Sequence, residues 1–204
     1  MEKVTKDQVV SFFVSEEGVP IKSYSYKKDI AAVLKVGCAL NEKECNIILC
    51  YLPALRRVRK NIPYLTNEEI SRIRVALDDS GNCLTLRDRA IGMLLMYTGL
   101  RSCDIAGMTL DAIDWKNGRI HIHQQKTKVS LELPLSAMVG NSIYDYLSSE
   151  RPNSSERYLF LSLNKPFIPL KSGSIGNITR KIMKEAGDRQ SPGMRKGSHI
   201  FRHH

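Results

Sequence analysis

Cysteine is scarce in this sequence, long apolar runs are missing, and acidic residues fall well short of basic ones; each shortage closes off a class of protein. The five cysteines (Cys38, Cys45, Cys50, Cys83 and Cys103) are odd in number and never stand as Cys-x-x-Cys. That pattern disfavours a disulfide framework and a zinc ribbon, and it fits a reducing compartment in which thiols fill core space. Nowhere do apolar residues run for the roughly 18 positions that a membrane span needs. The opening MEKVTKDQVV mixes charge with small apolar groups and carries no visible export signal. A cytoplasmic protein without membrane attachment is expected. The 21 acidic residues face 31 Lys and Arg, a net charge of +10. Such an excess asks for a polyanion, and nucleic acid is the commonest, because each phosphate neutralised by Lys or Arg releases counterions.

What is present is the composition of a folded protein: 204 residues, 42% hydrophobic and 25% charged, with no repeat or low-complexity tract. A chain of this length buries one full core and a smaller satellite. The satellite is expected at residues 1–55, which read as helices. Val9, Val10, Phe12 and Phe13 cluster on one face, and Ile30, Ala31, Val33, Leu34 and Val36 mark a second amphipathic stretch. Residues 56–62 are basic, with Arg56, Arg57, Arg59 and Lys60 crowded ahead of Asn61-Ile62-Pro63. Proline discourages helix in its predecessor, so this reads as an inter-domain linker or, equally, as a solvated helix end.

From residue 63 to residue 204 the local signals are more explicit. Thr66-Asn67-Glu68-Glu69 is a capping box with Thr66 as N-cap, and Leu65 and Ile70 are placed as a hydrophobic staple. A second helix is expected from Leu86, where Ala90, Met93, Leu94 and Tyr97 recur at helical spacing towards a core and Gly99 supplies a left-handed stop. Between Asp111 and Pro134 the period changes to two: Ile120 and Ile122 alternate with His121 and His123, and Leu131 and Leu133 with Glu132 and Pro134. With Asn117-Gly118 and the polar 124–128 segment as turns, this predicts a small three-stranded antiparallel sheet in a mainly α protein. Helices resume near Ile143–Ser149 and Ser174–Glu185.

An Arg after a glycine stop, a Lys in a hairpin turn and a His-x-x-Arg are each commonplace on protein surfaces. In this chain they come in a particular order. Tyr97-Thr98-Gly99-Leu100-Arg101-Ser102-Cys103-Asp104-Ile105 is followed by Gln125-Lys126-Thr127 and then by His199-Ile200-Phe201-Arg202-His203. Flanking text extends the pattern: Arg87-Asp88-Arg89, Asp111-Ala112-Ile113-Asp114-Trp115 and Leu133-Pro134-Leu135. This resembles the catalytic domain of the tyrosine recombinase (phage integrase) family over residues 63–204. Residues 1–55 would be part of the helical DNA-clamping domain that precedes it.

The resemblance implies catalytic roles for Arg101, Lys126, His199 and Arg202, with Asp104 supporting the site. Such residue types suit phosphoryl transfer, because a five-coordinate phosphorus gathers negative charge on its non-bridging oxygens. Two permanently protonated guanidiniums neutralise that charge in the way Mg²⁺ does elsewhere, so no metal or other cofactor is expected. Lys126 would protonate the leaving 5′ oxygen, with Lys128 as a rival on the same turn, and His199 would assist proton transfer or hold the phosphate. Arg56, Arg57, Arg59, Lys60 and Lys128 are candidates for DNA backbone contact. Double-stranded DNA is the expected partner, with self-association on paired sites and a phosphotyrosine intermediate.

In this family the attacking tyrosine lies beyond the His-x-x-Arg motif. All eight tyrosines here (Tyr24, Tyr26, Tyr51, Tyr64, Tyr97, Tyr144, Tyr146 and Tyr158) precede that motif. A chain truncated before its nucleophile, and inactive alone, is therefore expected. Three other readings are a non-catalytic DNA binder of integrase ancestry, a type IB topoisomerase relative and a basic RNA-binding scaffold. His121 with His123, and His203 with His204, lack a Cys or carboxylate partner at a recognised metal-binding spacing.

Overall fold

The computed structural model describes residues 3–56, 64–191 and 194–202. The expected linker residues Arg57, Arg59 and Lys60, and the pair His203-His204, lie outside the described residues. The chain divides into two compact units, Met1–Asn61 and Ile62–His204.

Among the described residues the smaller unit holds three helices, each started by a side-chain cap. Helix α1 (Lys6–Phe13) opens with a reciprocal Thr5–Gln8 capping box, α2 (Tyr24–Gly37) with Ser23 and α3 (Glu42–Tyr51) with Asn41. Lys27 Nζ donates to the Pro53 carbonyl at 2.6 Å and ties α2 to the segment after α3. The expected apolar faces are only partly buried. Val9 and Phe13 are covered, whereas Phe12 lies under the Lys22 ammonium, and Val33 and Val36 are exposed. Helical periodicity marks a stripe but does not say how much of it finds a partner.

In the larger unit, α4 (Asn67–Asp78) begins at the Thr66–Glu69 capping box, with Leu65 buried and Ile70 packed on the core beside it. Helix α5 (Leu86–Thr98) runs through the centre. Its residues from Ala90 to Met96 are all buried, because α4, α7 (Ala137–Ser149) and α8 (Ser172–Glu185) pack around it. Close approach is possible at Gly92, where a Cβ would sit 2.5 Å from a Leu77 methyl and 2.9 Å from one of Ile182. The short α6 (Ser102–Ala106) leads through a 3₁₀ turn into β1 (Ile113–Asp114), β2 (Arg119–His123) and β3 (Ser130–Pro134).

The sheet is antiparallel in the order β1-β2-β3, with Ile120 opposite Leu133 and His121 opposite Glu132. This register turns Ile120 and Ile122 inward and leaves Arg119, His121 and His123 outside, as the two-residue period requires. Tyr146, fully buried on α7, stacks on Phe160 and accepts a hydrogen bond at 3.2 Å from the Leu161 amide. Burial pushes the Tyr146 phenol above its ordinary pKa. Tyr146→Phe strands that buried amide, so a loss of about 2 kcal/mol is expected in chemical denaturation.

The Arg87-Asp88-Arg89 text proves to be bracing. Arg87 donates to the Leu161 carbonyl, and Asp88 donates its amide to the Thr85 hydroxyl that caps α5 while its carboxylate pairs with Lys181 of α8 at 2.9 Å. Arg89 donates to the Leu77 and Asp79 carbonyls and so closes the end of α4.

Candidate active site

The site is built where α5 stops. Thr98 and Gly99 make that stop: Gly99 takes φ +59°, its amide bonds to the Leu95 carbonyl, and the Leu100 amide donates to the Thr98 hydroxyl at 3.3 Å. The left-handed turn suits glycine because other residues meet their own Cβ there. Leu100 is buried, and Arg101 follows as the N-cap of α6. The Arg101 side chain is 24% exposed, and its Nη1 lies 3.9 Å from Asp104 Oδ2, on a carboxylate with no exposure. That distance is an ion pair and not a hydrogen bond. Among the described residues, Arg101 Nη1 and Asp104 Oδ2 are both buried without a hydrogen-bond partner. The guanidinium is thus held by charge while keeping uncommitted donors, which suits it to receive an anion.

Asp104 has a second task. Its Oδ1 accepts a hydrogen bond at 2.9 Å from the amide of Gln125, the residue before Lys126. One turn on, a Cβ at Gly107 would sit 2.5 Å from Gln125 Nε2, so the glutamine amide lies directly over bare backbone. Two contacts from α6 therefore hold the root of the 124–128 turn, which closes by the Lys128 amide donating to the Gln124 carbonyl at 2.9 Å. Lys126 and Lys128 are exposed, and Lys128 takes φ +58°. Among the described residues neither ammonium has a hydrogen bond or ion pair. Asp104→Ala should speed hydrogen exchange at the Gln125 amide at least tenfold, corresponding to loss of about 1.4 kcal/mol of protection. Asp104→Asn keeps an acceptor and should leave that exchange near the parent's.

The His-x-x-Arg motif forms a 3₁₀ turn at Ser198–Arg202. In such a turn residues three apart eclipse, so His199 and Arg202 share one side, while Ile200 and Phe201 are fully buried on the other. The turn packs against α5 and α8. A Cβ at Gly99 would lie 3.9 Å from Arg202 Cγ and 4.0 Å from its Cα. Arg202 therefore crosses directly over the α5 stop, two residues from Arg101. One glycine gathers two arginines that are far apart in sequence.

The sequence profile of the phage integrase family matches residues 63–204. The chain belongs to the phage integrase family. Among curated family relatives, integrase/recombinase y4gC of Sinorhizobium fredii is 34% identical over 139 residues, 68% of this chain and 70% of that protein. Tyrosine recombinase XerC of Lactobacillus delbrueckii subsp. bulgaricus is 28% identical over 137 residues, 65% of this chain and 46% of that protein. Two other Sinorhizobium fredii relatives are matched over only 31% and 32% of their lengths. The fold is that of XerA recombinase, with TM-score 0.57, 19% identity and coverage of 98% of this chain and 66% of that one. A lambda integrase dimer bound to a COC′ core site superposes with TM-score 0.54 at 19% identity, covering 97% of this chain and 60% of that one.

Within this phage integrase domain the structure brings Arg101, Asp104 and Arg202 to the end of α5 and ties the Lys126 turn to them through Gln125. Sequence reading missed Gly107, whose signal was no more than a helix-ending glycine. Tyr97 was expected in the core; it is 36% exposed, with the Arg74 guanidinium over its ring at 5.8 Å. The reason is that α4 covers this part of α5 with a long cationic side chain in place of an apolar one. Arg56 is exposed in the smaller unit.

Proposed function

We propose that the larger unit is the phosphodiester-activating domain of a site-specific DNA recombinase, serving integration or excision of a mobile element. The observation that carries this reading is the convergence of Arg101 and Arg202 on Gly99. Two arginines brought to one helix stop can offer paired donors to a phosphate. Lys126, on a turn rooted to α6, the helix that Arg101 caps, is the general acid for the departing 5′ oxygen, and His199 aids proton transfer or holds the phosphate.

The partner is double-stranded DNA. Arg56, Arg57, Arg59, Lys60 and Lys128 supply backbone contacts, and protomers associate on paired sites. Setting is cytoplasmic, and charge neutralisation by the arginines leaves no step that needs a metal. The nucleophile is a tyrosine other than the eight present. Tyr146 is buried with its hydroxyl engaged, Tyr97 lies beneath Arg74 and Tyr144 stands edge-on to Trp115.

The test uses a nicked duplex carrying a recombination site, which traps the covalent protein–DNA intermediate. The 204-residue chain is compared with a chimera that continues after His204 with the carboxyl-terminal segment of a XerC relative. An adduct with the chimera alone supports both the chemistry and the source of the nucleophile. An adduct with the 204-residue chain, lost in one Tyr→Phe variant, overturns the assignment of the tyrosine. Retained site binding with no adduct from either protein favours a non-catalytic binder.

A further inference from the structure

Between α8 and the turn that carries His199 and Arg202 runs a loop with no part in the chemistry above, yet it holds a guanidinium engaged on every edge. Arg189 grips both oxygens of Glu69, Nε to Oε1 at 2.7 Å and Nη2 to Oε2 at 2.8 Å. Its Nη2 also donates to the Tyr64 carbonyl and its Nη1 to the Arg195 carbonyl at 3.3 Å. The two side chains are only 7% and 11% exposed. The Arg189 guanidinium holds the Glu69 carboxyl below its ordinary pKa.

Arg189 takes φ +51°, a conformation that residues with a Cβ avoid unless their surroundings over-determine it. The neighbour does the same job. Asp188, itself 3% exposed, accepts from Arg72 Nε at 2.7 Å. Glu69 and Arg72 are three apart on α4 and share a face, so two consecutive loop residues are fastened to one helix. At the far end of the loop the fully buried Thr179 of α8 donates to the Lys196 carbonyl at 3.1 Å. The catalytic turn begins two residues later.

A buried ion pair is a poor way to add stability, since desolvation consumes most of what the charges gain. What it does well is fix direction, because the planar fork of Arg admits one bidentate geometry. We infer that Arg189, locked to Glu69, is a positioning residue for Arg202. Its fork anchors the loop at Arg189 and, through the Arg195 carbonyl, again just ahead of the 3₁₀ turn, and those anchors decide whether the turn presents Arg202 over Gly99 beside Arg101. This inference rests on the reading that Arg202 binds a DNA phosphate.

The test is a double-mutant cycle in the 204-residue chain, read as the salt dependence of binding to a fluorescein-labelled duplex of arbitrary sequence. Loss of one phosphate contact lowers the slope of log K against log salt by about 0.9. Arg202→Ala should show that drop, Arg189→Ala should show the same drop, and the double variant should show no further one. A merely structural Arg189 would weaken the melt while leaving the slope alone, or its effect would add in full to that of Arg202→Ala; either result overturns the inference. An unchanged slope in Arg202→Ala alone overturns the reading of the site, and the inference falls with it. If Arg189→Ala lacks a cooperative melt, Glu69→Gln decides in its place: a lowered slope that does not add to Arg202→Ala supports the positioning role, and an unchanged one overturns it.

Discussion

Replacing Arg101 by Ala in the chimera is expected to slow formation of the covalent protein–DNA adduct by about 10³-fold, a transition-state loss of about 4 kcal/mol. The magnitude follows from how the side chain is held. Among the described residues its charge partner is Asp104 at 3.9 Å, and its buried Nη1 has no acceptor. If Arg101 binds the phosphate, no internal hydrogen bond has to be broken first, which is the pre-organisation that makes a charge effective at the moment of reaction.

The same geometry predicts a side effect that must be separated from the chemistry. Arg101→Ala leaves the fully buried Asp104 carboxylate without its counter-charge, so the variant should also lose about 3 kcal/mol of stability. Adding Asp104→Asn removes that uncompensated charge while keeping an acceptor for the Gln125 amide. The double variant should regain most of the stability in thermal or chemical denaturation and none of the rate in single-turnover assays. Recovery of rate together with stability would mean that Arg101 acts by supporting the fold. Arg101→Lys should restore charge but not the planar fork, and should recover only part of the rate.

How much of this was legible in the sequence depended on distance along the chain. The Thr66–Glu69 capping box, the Gly99 stop and the alternation at Ile120 and Ile122 are chemistry within a few residues, and they form as expected. Order alone singled out Arg101, Lys126, His199 and Arg202, while their mutual placement is tertiary. Nothing local says that Gln125 lies over Gly107, or that Arg202 crosses Gly99. Arg189 and Glu69 are 120 positions apart, and an Arg after an Asp in a loop has no distinguishing sequence pattern. Periodicity did not foretell how much of a stripe is covered: among the described residues Val33 and Val36 are exposed, and Tyr97 meets Arg74. The outward His121 and His123 were legible as a face because a strand fixes its alternation without reference to any other element.

Lys126→Ala is expected to reduce the cleavage rate by about 10²- to 10⁴-fold, the range for loss of a positioned general acid. A departing 5′ alkoxide is a poor leaving group, and a proton delivered as the bond breaks is what makes it leave. If that is the role of Lys126, a substrate whose bridging 5′ oxygen is replaced by sulfur should be cleaved by Lys126→Ala at close to the parent rate, because a thiolate leaves without protonation. Arg101→Ala should stay slow on that substrate, since phosphate charge still develops. Lys128→Ala serves as the internal contrast. Both ammoniums are exposed on one turn, but Lys126 directly follows Gln125, whose amide is fastened to Asp104, whereas Lys128 lies three residues from that anchor at φ +58°. A proton donor must sit within hydrogen-bond reach of the oxygen it serves, so the residue nearest the anchor is the better placed. Sulfur rescue of Lys128→Ala and not of Lys126→Ala would reverse the assignment, and equal loss on both substrates for Lys126→Ala would mean that it binds the DNA backbone and donates no proton.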